Sequence, residues 1–265
     1  MQLNQFAVFL LLAIISEVFG RHLNKNSSRR HEGGEESSRT RKSHLRLHAK
    51  PPKTIHVTEG DDRVIECQAG GRPAPSVHWL KNGKKISQND AERFELVSEV
   101  ATEEDGDTSK LNIGSVLSRL FLDCISEEDE AEYTCVAENA YHRTSSTTQV
   151  VVSLSEEKKC EERGTYGHAP RIYSWTKTML ETQGLDTKLI CKVDGFPQPT
   201  IKWYLALGSK REELNNGDKY QISKDGSLVI RNLKWSDMGN YICTADNIHG
   251  TAKSESFLYP AIPES

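Results

Sequence analysis

The sequence has a single apolar run, at residues 6–15, and nowhere offers the roughly 20 consecutive apolar residues that span a bilayer. It contains no Cys-x-x-Cys pair, which removes the commonest zinc and thiol-redox spacings. It also lacks His-Glu-x-x-His, Gly-x-Ser-x-Gly, Gly-x-x-x-x-Gly-Lys-Ser/Thr and Gly-x-Gly-x-x-Gly. Metalloprotease, α/β-hydrolase, phosphate-loop and dinucleotide-binding geometries each rest on one of those spacings. Of the nine histidines, His22, His31, His44 and His48 fall in a polar leader and the others are scattered. No catalytic residue, metal ligand or cofactor is therefore assigned, and the chain is expected not to be an enzyme.

What is present begins with that apolar run. It is followed by Val18 and Gly20, residues small enough for a signal peptidase, so residues 1–20 are expected to be a signal peptide. The C-terminal residues 261–265 are short and polar, with no lipid-anchor signal, and a secreted, extracellular product with no membrane span is expected. Residues 21–50 carry a net charge of +6 and almost no aromatic or β-branched side chains, whereas residues 51–265 carry −9. A segment so poor in apolar surface cannot offset its chain entropy, and a disordered basic tail is expected there. Two uses of the tail stand side by side: a solvated leader without a partner, or a contact with heparan sulfate through Arg29, Arg30, Arg39, Arg41 and Lys42. Asn26-Ser27-Ser28 is an N-glycosylation sequon, and the dibasic Arg29-Arg30 also reads as a processing site.

From Pro51 onward the chain repeats itself. Cys67-Gln-Ala-Gly-Gly71-Arg-Pro73-Ala-Pro75-Ser-Val77-His-Trp79 aligns without a gap on Cys191-Lys-Val-Asp-Gly195-Phe-Pro197-Gln-Pro199-Thr-Ile201-Lys-Trp203. Each copy closes on Tyr-x-Cys, at Tyr133 and Cys135 and at Tyr241 and Cys243. An immunoglobulin sandwich needs this set: two cysteines bridging facing sheets, a tryptophan packed on the bridge, and a tyrosine corner before the second cysteine. The fold class is all-β, two tandem I-set immunoglobulin-like sandwiches, at residues 51–154 and 170–260 with a linker at 155–169. Pairs Cys67–Cys135 and Cys191–Cys243 follow, each worth about 4 kcal/mol in the chain-entropy account. Alternation places strands at residues 63–68, 76–81, 109–113, 132–137 and 145–153 in the first unit. In the second it places them at 188–193, 200–204, 227–231, 241–245 and 253–258. The first unit's cysteines are 68 residues apart and the second's 52, and the surplus falls in an acidic stretch at residues 87–107 expected to form a loop or irregular edge strands.

Two cysteines remain. Cys124 follows the fifth strand of the first unit and Cys160 its last, and these strands end at one pole of the sandwich. An intramolecular Cys124–Cys160 bridge restraining the linker is expected, with free thiols or an interchain bridge as alternatives. The acidic runs Glu103-Glu104-Asp105 and Glu127-Glu128-Asp129-Glu130 read as solvated faces more readily than as calcium ligands.

Beyond the generic pattern, Gly226-Ser-Leu228-Val-Ile230-Arg-Asn-Leu233-Lys-Trp235-Ser-Asp237-Met-Gly239-Asn-Tyr241-Ile-Cys243 and Phe257-Leu-Tyr259-Pro260 resemble a narrower group. This is the secreted zwei-Ig-domain family of nematodes, to which an insect neural/ectodermal development factor is similar. Lys-Trp-Ser-Asp-Met-Gly and Phe-Leu-Tyr-Pro are the specific parts, supported by Pro170-Arg-Ile and by the Cys124/Cys160 pair of the nematode members. The resemblance covers most of residues 51–260 and implies a binding function. Nematode members keep axons and neurons in position in the nervous system, with cell-surface adhesion molecules as the implied partners, and this reading is favoured. The insect relative binds insulin-like peptides and dampens insulin signalling, which is the alternative. Neither implies contact residues.

Overall fold

In a computed structural model of the chain, the described residues are 43–88, 111–155 and 167–263. The leader with Asn26, Arg29, Arg30, Arg39, Arg41 and Lys42, nearly all of the acidic insertion, and Cys160 lie outside them.

The first sandwich contains β1 (His44–Ala49), β2 (Thr54–Thr58), β3 (Arg63–Arg72), β4 (Ser76–Lys81), β5 (Lys84–Lys85), β6 (Ile113–Leu122), β7 (Ala131–Glu138) and β8 (Arg143–Ser153). One sheet runs β2-β8-β7-β4-β5, and the facing sheet begins β1-β3-β6. Strand periodicity does the sorting: on β3, Ile65, Cys67 and Ala69 are buried while Arg63, Val64 and Glu66 are exposed. Trp79 is fully buried in this core, and its Nε1 donates to Ser118 Oγ at 3.0 Å.

Two sequence expectations change here. The strand placed at residues 109–113 lies at Ile113–Leu122 instead. Its inward row includes Ser118, whose hydroxyl is needed by the Trp79 indole, and that serine breaks the apolar alternation a sequence reader follows. The tail placed at residues 21–50 ends earlier, because His44–Ala49 form a strand paired with β3. The basic composition hid a period of two, with Leu45 and Leu47 half-buried and His44, Arg46 and His48 exposed. Leu47 packs against the first core. The glycine pair of β3 makes the docking feasible: a Cβ at Gly71 would stand 2.6 Å from the His44 carbonyl oxygen.

The second sandwich contains β9 (His168–Thr182), β10 (Thr187–Leu189), β11 (Cys191–Phe196), β12 (Thr200–Leu207), β13 (Lys210–Leu214), β14 (Tyr220–Ile222), β15 (Leu228–Ile230), β16 (Gly239–Asn247) and β17 (Gly250–Ala261). A three-stranded sheet, β10-β15-β14, faces β17-β16-β12-β13. Trp203 is fully buried and donates to the Gly226 carbonyl at 2.9 Å. Gly226 has φ +83°, and a Cβ there would lie 2.5 Å from Ile201 Cδ1, so the turn that receives the indole tolerates no side chain.

The long strand β9 was absent from the sequence reading, and it joins the two sandwiches. Its first half pairs antiparallel with β11, and its second half pairs parallel with β17 from Thr178↔Phe257 onward. Along its other edge it pairs antiparallel with β6, from Ser118↔Ser174 to Ile113↔Leu180. The result is one continuous sheet, β1-β3-β6-β9-β17-β16-β12-β13, to which both sandwiches contribute.

Side chains reinforce this seam. Glu181, buried at 4% exposure, accepts hydrogen bonds at Oε1 from the backbone N–H groups of Leu111 (3.0 Å), Asn112 (3.3 Å) and Thr182 (2.7 Å). The Arg119 guanidinium lies 4.8 Å from the Trp175 ring centre and pairs with Glu66 at 2.7 Å. Arg171 stacks 5.0 Å from the Phe121 ring centre and forms an ion pair with Asp123. Ala74 and Leu117 of the first sandwich pack against the core of the second.

Two stability measurements follow. Tyr241 donates its hydroxyl to the Asp237 carbonyl at 2.8 Å, and Tyr133 donates to Asp129 at 3.2 Å. Tyr241→Phe is expected to cost about 1–2 kcal/mol in urea denaturation, and Tyr133→Phe less, because the longer bond is only partly buried. Glu181→Ala strips an acceptor from three N–H groups and is expected to cost about 2–4 kcal/mol. Hydrogen exchange should then quicken along β6 and β9 before it does in either core, and uniform quickening would show that the seam has no separate stability.

Candidate functional site

The cysteines, tryptophans and tyrosines singled out from the sequence are brought together inside the two cores. Cys67–Cys135 has an S–S distance of 1.98 Å and Cys191–Cys243 one of 2.11 Å. Trp79, Tyr133, Trp203 and Tyr241 are buried. Burial pushes the Tyr241 phenol's pKa far up, with the nearby Tyr220 and Asp237 adding to the shift. These groups hold the fold and are not accessible to a partner.

Cys124 is disulfide-bonded, and no described cysteine is free. Its N–H donates to Asp62 Oδ1 at 2.7 Å. The ends of the connector converge on this corner. Ser155 N–H donates to Glu59 Oε2 at 3.3 Å, Gly60 N–H donates to the Ile125 carbonyl at 2.7 Å, and Arg171 holds Asp123, the residue before Cys124. Cys160, the expected partner, lies outside the described residues.

The acidic turn after β6 is engaged locally. Asp129 accepts from Ser126 N–H at 3.1 Å and pairs with Lys81 at 3.2 Å, while Glu130 Oε2 accepts from Val152 N–H at 2.8 Å. Among the described residues, no group of three or more His, Cys, Asp or Glu is arranged to hold a metal ion.

A partner has a surface to use on the joined sheet. Met179 and Leu258 point into the second core, so their strand neighbours point the other way. Two of those neighbours, Leu180 and Tyr259, form a cross-strand row with Ile113 of β6, Ile113↔Leu180↔Tyr259, in which all three side chains are half-buried. Trp235 extends the row, its ring edge-on to Tyr259 with centroids 5.6 Å apart, and it is 50% exposed. A parallel row, Ser115↔Thr178↔Phe257↔Asn240, flanks it. The apolar row therefore runs from the corner before β16 in the second sandwich, across the seam, onto β6 of the first.

The sequence reading did not name this row. Its signal was present in another guise: Trp235 and Tyr259 belong to the two stretches most specific to the resembled family, and the fold sets them ring against ring.

Comparison with known proteins matches residues 170–259 to the immunoglobulin I-set domain and residues 46–139 to an immunoglobulin domain. Zwei Ig domain protein zig-4 of Caenorhabditis elegans is 32% identical over 215 residues, which are 81% of this chain and 79% of that protein. Neural/ectodermal development factor IMP-L2 of Drosophila melanogaster is 29% identical over 83% of this chain and 78% of its own. The crystal structure of IMP-L2 superposes with a TM-score of 0.64 at 27% identity, covering 84% of this chain and 97% of that one, a likeness that spans both sandwiches. Built of two immunoglobulin sandwiches and matched along most of its length by those relatives, the chain belongs to the zwei-Ig-domain family.

Proposed function

We propose that this is a secreted, non-enzymatic binding protein that captures its ligand on the outer face of the joined sheet, across the seam. The continuous row Ile113, Leu180, Tyr259 and Trp235 carries this reading. Association orders whatever is loose, and two sandwiches already locked by a backbone ladder spare a ligand the cost of fixing their angle. The exposed Trp235 and the half-buried Tyr259 beside it supply large, stiff contact area of the kind that dominates binding energy at protein interfaces.

An insulin-like peptide, the ligand implied by likeness to the insect factor, is a small helical body that needs an apolar surface wider than one sheet edge. The row meets that need, and it moves the hormone reading ahead of the axon-maintenance reading favoured from sequence. The second reading, neuronal positioning through cell-surface adhesion molecules, draws on the 32% identity to the nematode relative and uses the same face. Secretion accords with the signal-like leader. Among the described residues, no helix is long and apolar enough to cross a membrane.

Surface plasmon resonance with immobilised full-length chain separates the readings. Insulin-like peptides are expected to bind, and Leu180→Asp and Trp235→Ala to weaken binding on the order of tenfold or more. Absence of insulin-like binding at micromolar concentration, together with binding of a neural adhesion ectodomain, would select the second reading. Unchanged binding in both variants would remove the row as the site.

A further inference from the structure

A second surface feature owes nothing to the apolar row. Residues 37–58 contain Arg39, Arg41, Lys42, Arg46, Lys50 and Lys53 with His44, His48 and His56, and not one Asp or Glu, in a chain whose acidic residues outnumber its basic ones 38 to 34. The fold takes up this run from residue 43. On β1, His44, Arg46 and His48 are exposed, and Lys50, Lys53 and His56 beyond it are exposed as well. Alternate strand residues stand about 6.4–6.8 Å apart, so the basic side chains of β1 form a line and not a cluster.

Among the described residues, the partners of that line on β3 carry no compensating charge. Opposite His44 on β3 is Arg72, opposite Arg46 is Gly70, and opposite Ala49 is Gln68. His48 sits at the bulge between Leu47 and Ala49, its imidazole lying over bare Gly70, where a Cβ would be 2.3 Å from its Nε2. At the strand's N-terminal end the β7–β8 hairpin presents His142, bonded to Ser43 Oγ at 2.9 Å, and Arg143, which pairs with Glu138 at 4.0 Å. Glu138 is shared with His78 at 3.5 Å, and Glu66, further along β3, is held by Arg119. None of the residues paired with β1 is a carboxylate.

We infer that β1 and the exposed Lys50 and Lys53 beyond it form a polyanion-binding stripe whose occupant is a sulfated glycosaminoglycan. A protein partner would call for aromatic or aliphatic anchors, and a lipid surface for side chains to insert; residues 43–58 expose neither, since Leu45 and Leu47 are half-buried and Ile55 and Val57 are buried. An extended polysulfate asks only for cations repeated along a line, and the exposed Arg46, Lys50 and Lys53 repeat them, with Arg46 set on a strand. His48 makes the stripe sensitive to acid. Partial desolvation of the ring against Gly70, with the positive neighbours Arg46 and His44, holds the His48 pKa below its ordinary value, so acid is needed to charge this ring. Anion affinity therefore rises as pH falls.

Isothermal titration of the full-length chain with a heparin oligosaccharide at physiological salt tests this. Arg46→Glu, and separately Lys50→Glu, which lies outside the β1 ladder, are each expected to weaken binding about fivefold or more, and higher salt to weaken it further. Arg211→Glu, an exposed reversal on β13, should leave binding unchanged. A leader variant, R39S/R41S/K42S, should retain binding that Arg46→Glu then reduces. Wild-type binding should tighten as the pH falls from 7.5 to 5.5, and His48→Gln should reduce that gain. The inference is overturned if Arg46→Glu and Lys50→Glu bind like wild type, if Arg211→Glu weakens binding equally, or if the leader variant alone abolishes it. Retention of the full pH gain in His48→Gln overturns the part assigned to His48.

Discussion

A strand of fifteen residues with hydrogen-bonding partners on both edges is the constraint on which the molecule turns. An immunoglobulin sandwich ordinarily leaves its first strand as an edge, and an exposed edge is an open row of N–H and C=O groups. Here β9 gives one edge to β11 and β17 and the other to β6, so the first sandwich covers the edge of the second. The rest follows from that pairing. Trp175 is buried where the sheets meet, Glu181 takes up the N–H groups of Leu111 and Asn112 that the ladder leaves over, and Gly114 keeps space for Ala74 and Met179, either of which a Cβ would crowd at 2.6 and 3.3 Å. The connector is relieved of setting the angle between sandwiches, because the backbone sets it.

The features legible in the sequence are the ones whose causes are local. The spacings Cys67 to Trp79 and Tyr133 to Cys135 recur unchanged in the second unit because one core must close around one disulfide, and that requirement is written twice. The seam obeys no such rule. Residues 172–176 of β9 are all buried, so no apolar-polar alternation marks them, and Ser174 and Thr176 sit in the middle of the run as if it were a loop. Register breaks at Ser115/Val116 and Lys192/Val193 add to the concealment. Ser118 hid β6 for the opposite reason, being polar at a core position where an indole needs an acceptor. β1 was hidden by averaging: its charge is that of a tail, but its period is that of a strand. The candidate surface was legible only in fragments, because Ile113, Leu180, Tyr259 and Trp235 belong to different strands and one turn, and only the pairing of β6, β9 and β17 makes them neighbours.

The apolar row and the basic stripe share one face. Cross-strand partners point the same way, and Arg46↔Gly70↔Ser115↔Thr178↔Phe257 is an unbroken chain of partners leading from β1 to β17. Strands lie about 4.8 Å apart, so four intervals put Arg46 about 19 Å from Phe257. That is more than two screening lengths at physiological salt, each about 8 Å. A ligand seated on the row therefore feels little direct pull from Arg46, and the stripe adds little to its affinity. In the proposed role, the stripe bears instead on where the protein resides. A chain tethered to sulfated matrix through β1 would keep the row on the same side of the sheet as the tether, and because the seam is a backbone ladder the two surfaces cannot rotate apart. A ligand large enough to cover the row and reach across β6 and β3 would then compete with the polysaccharide, whereas one confined to β9 and β17 would not.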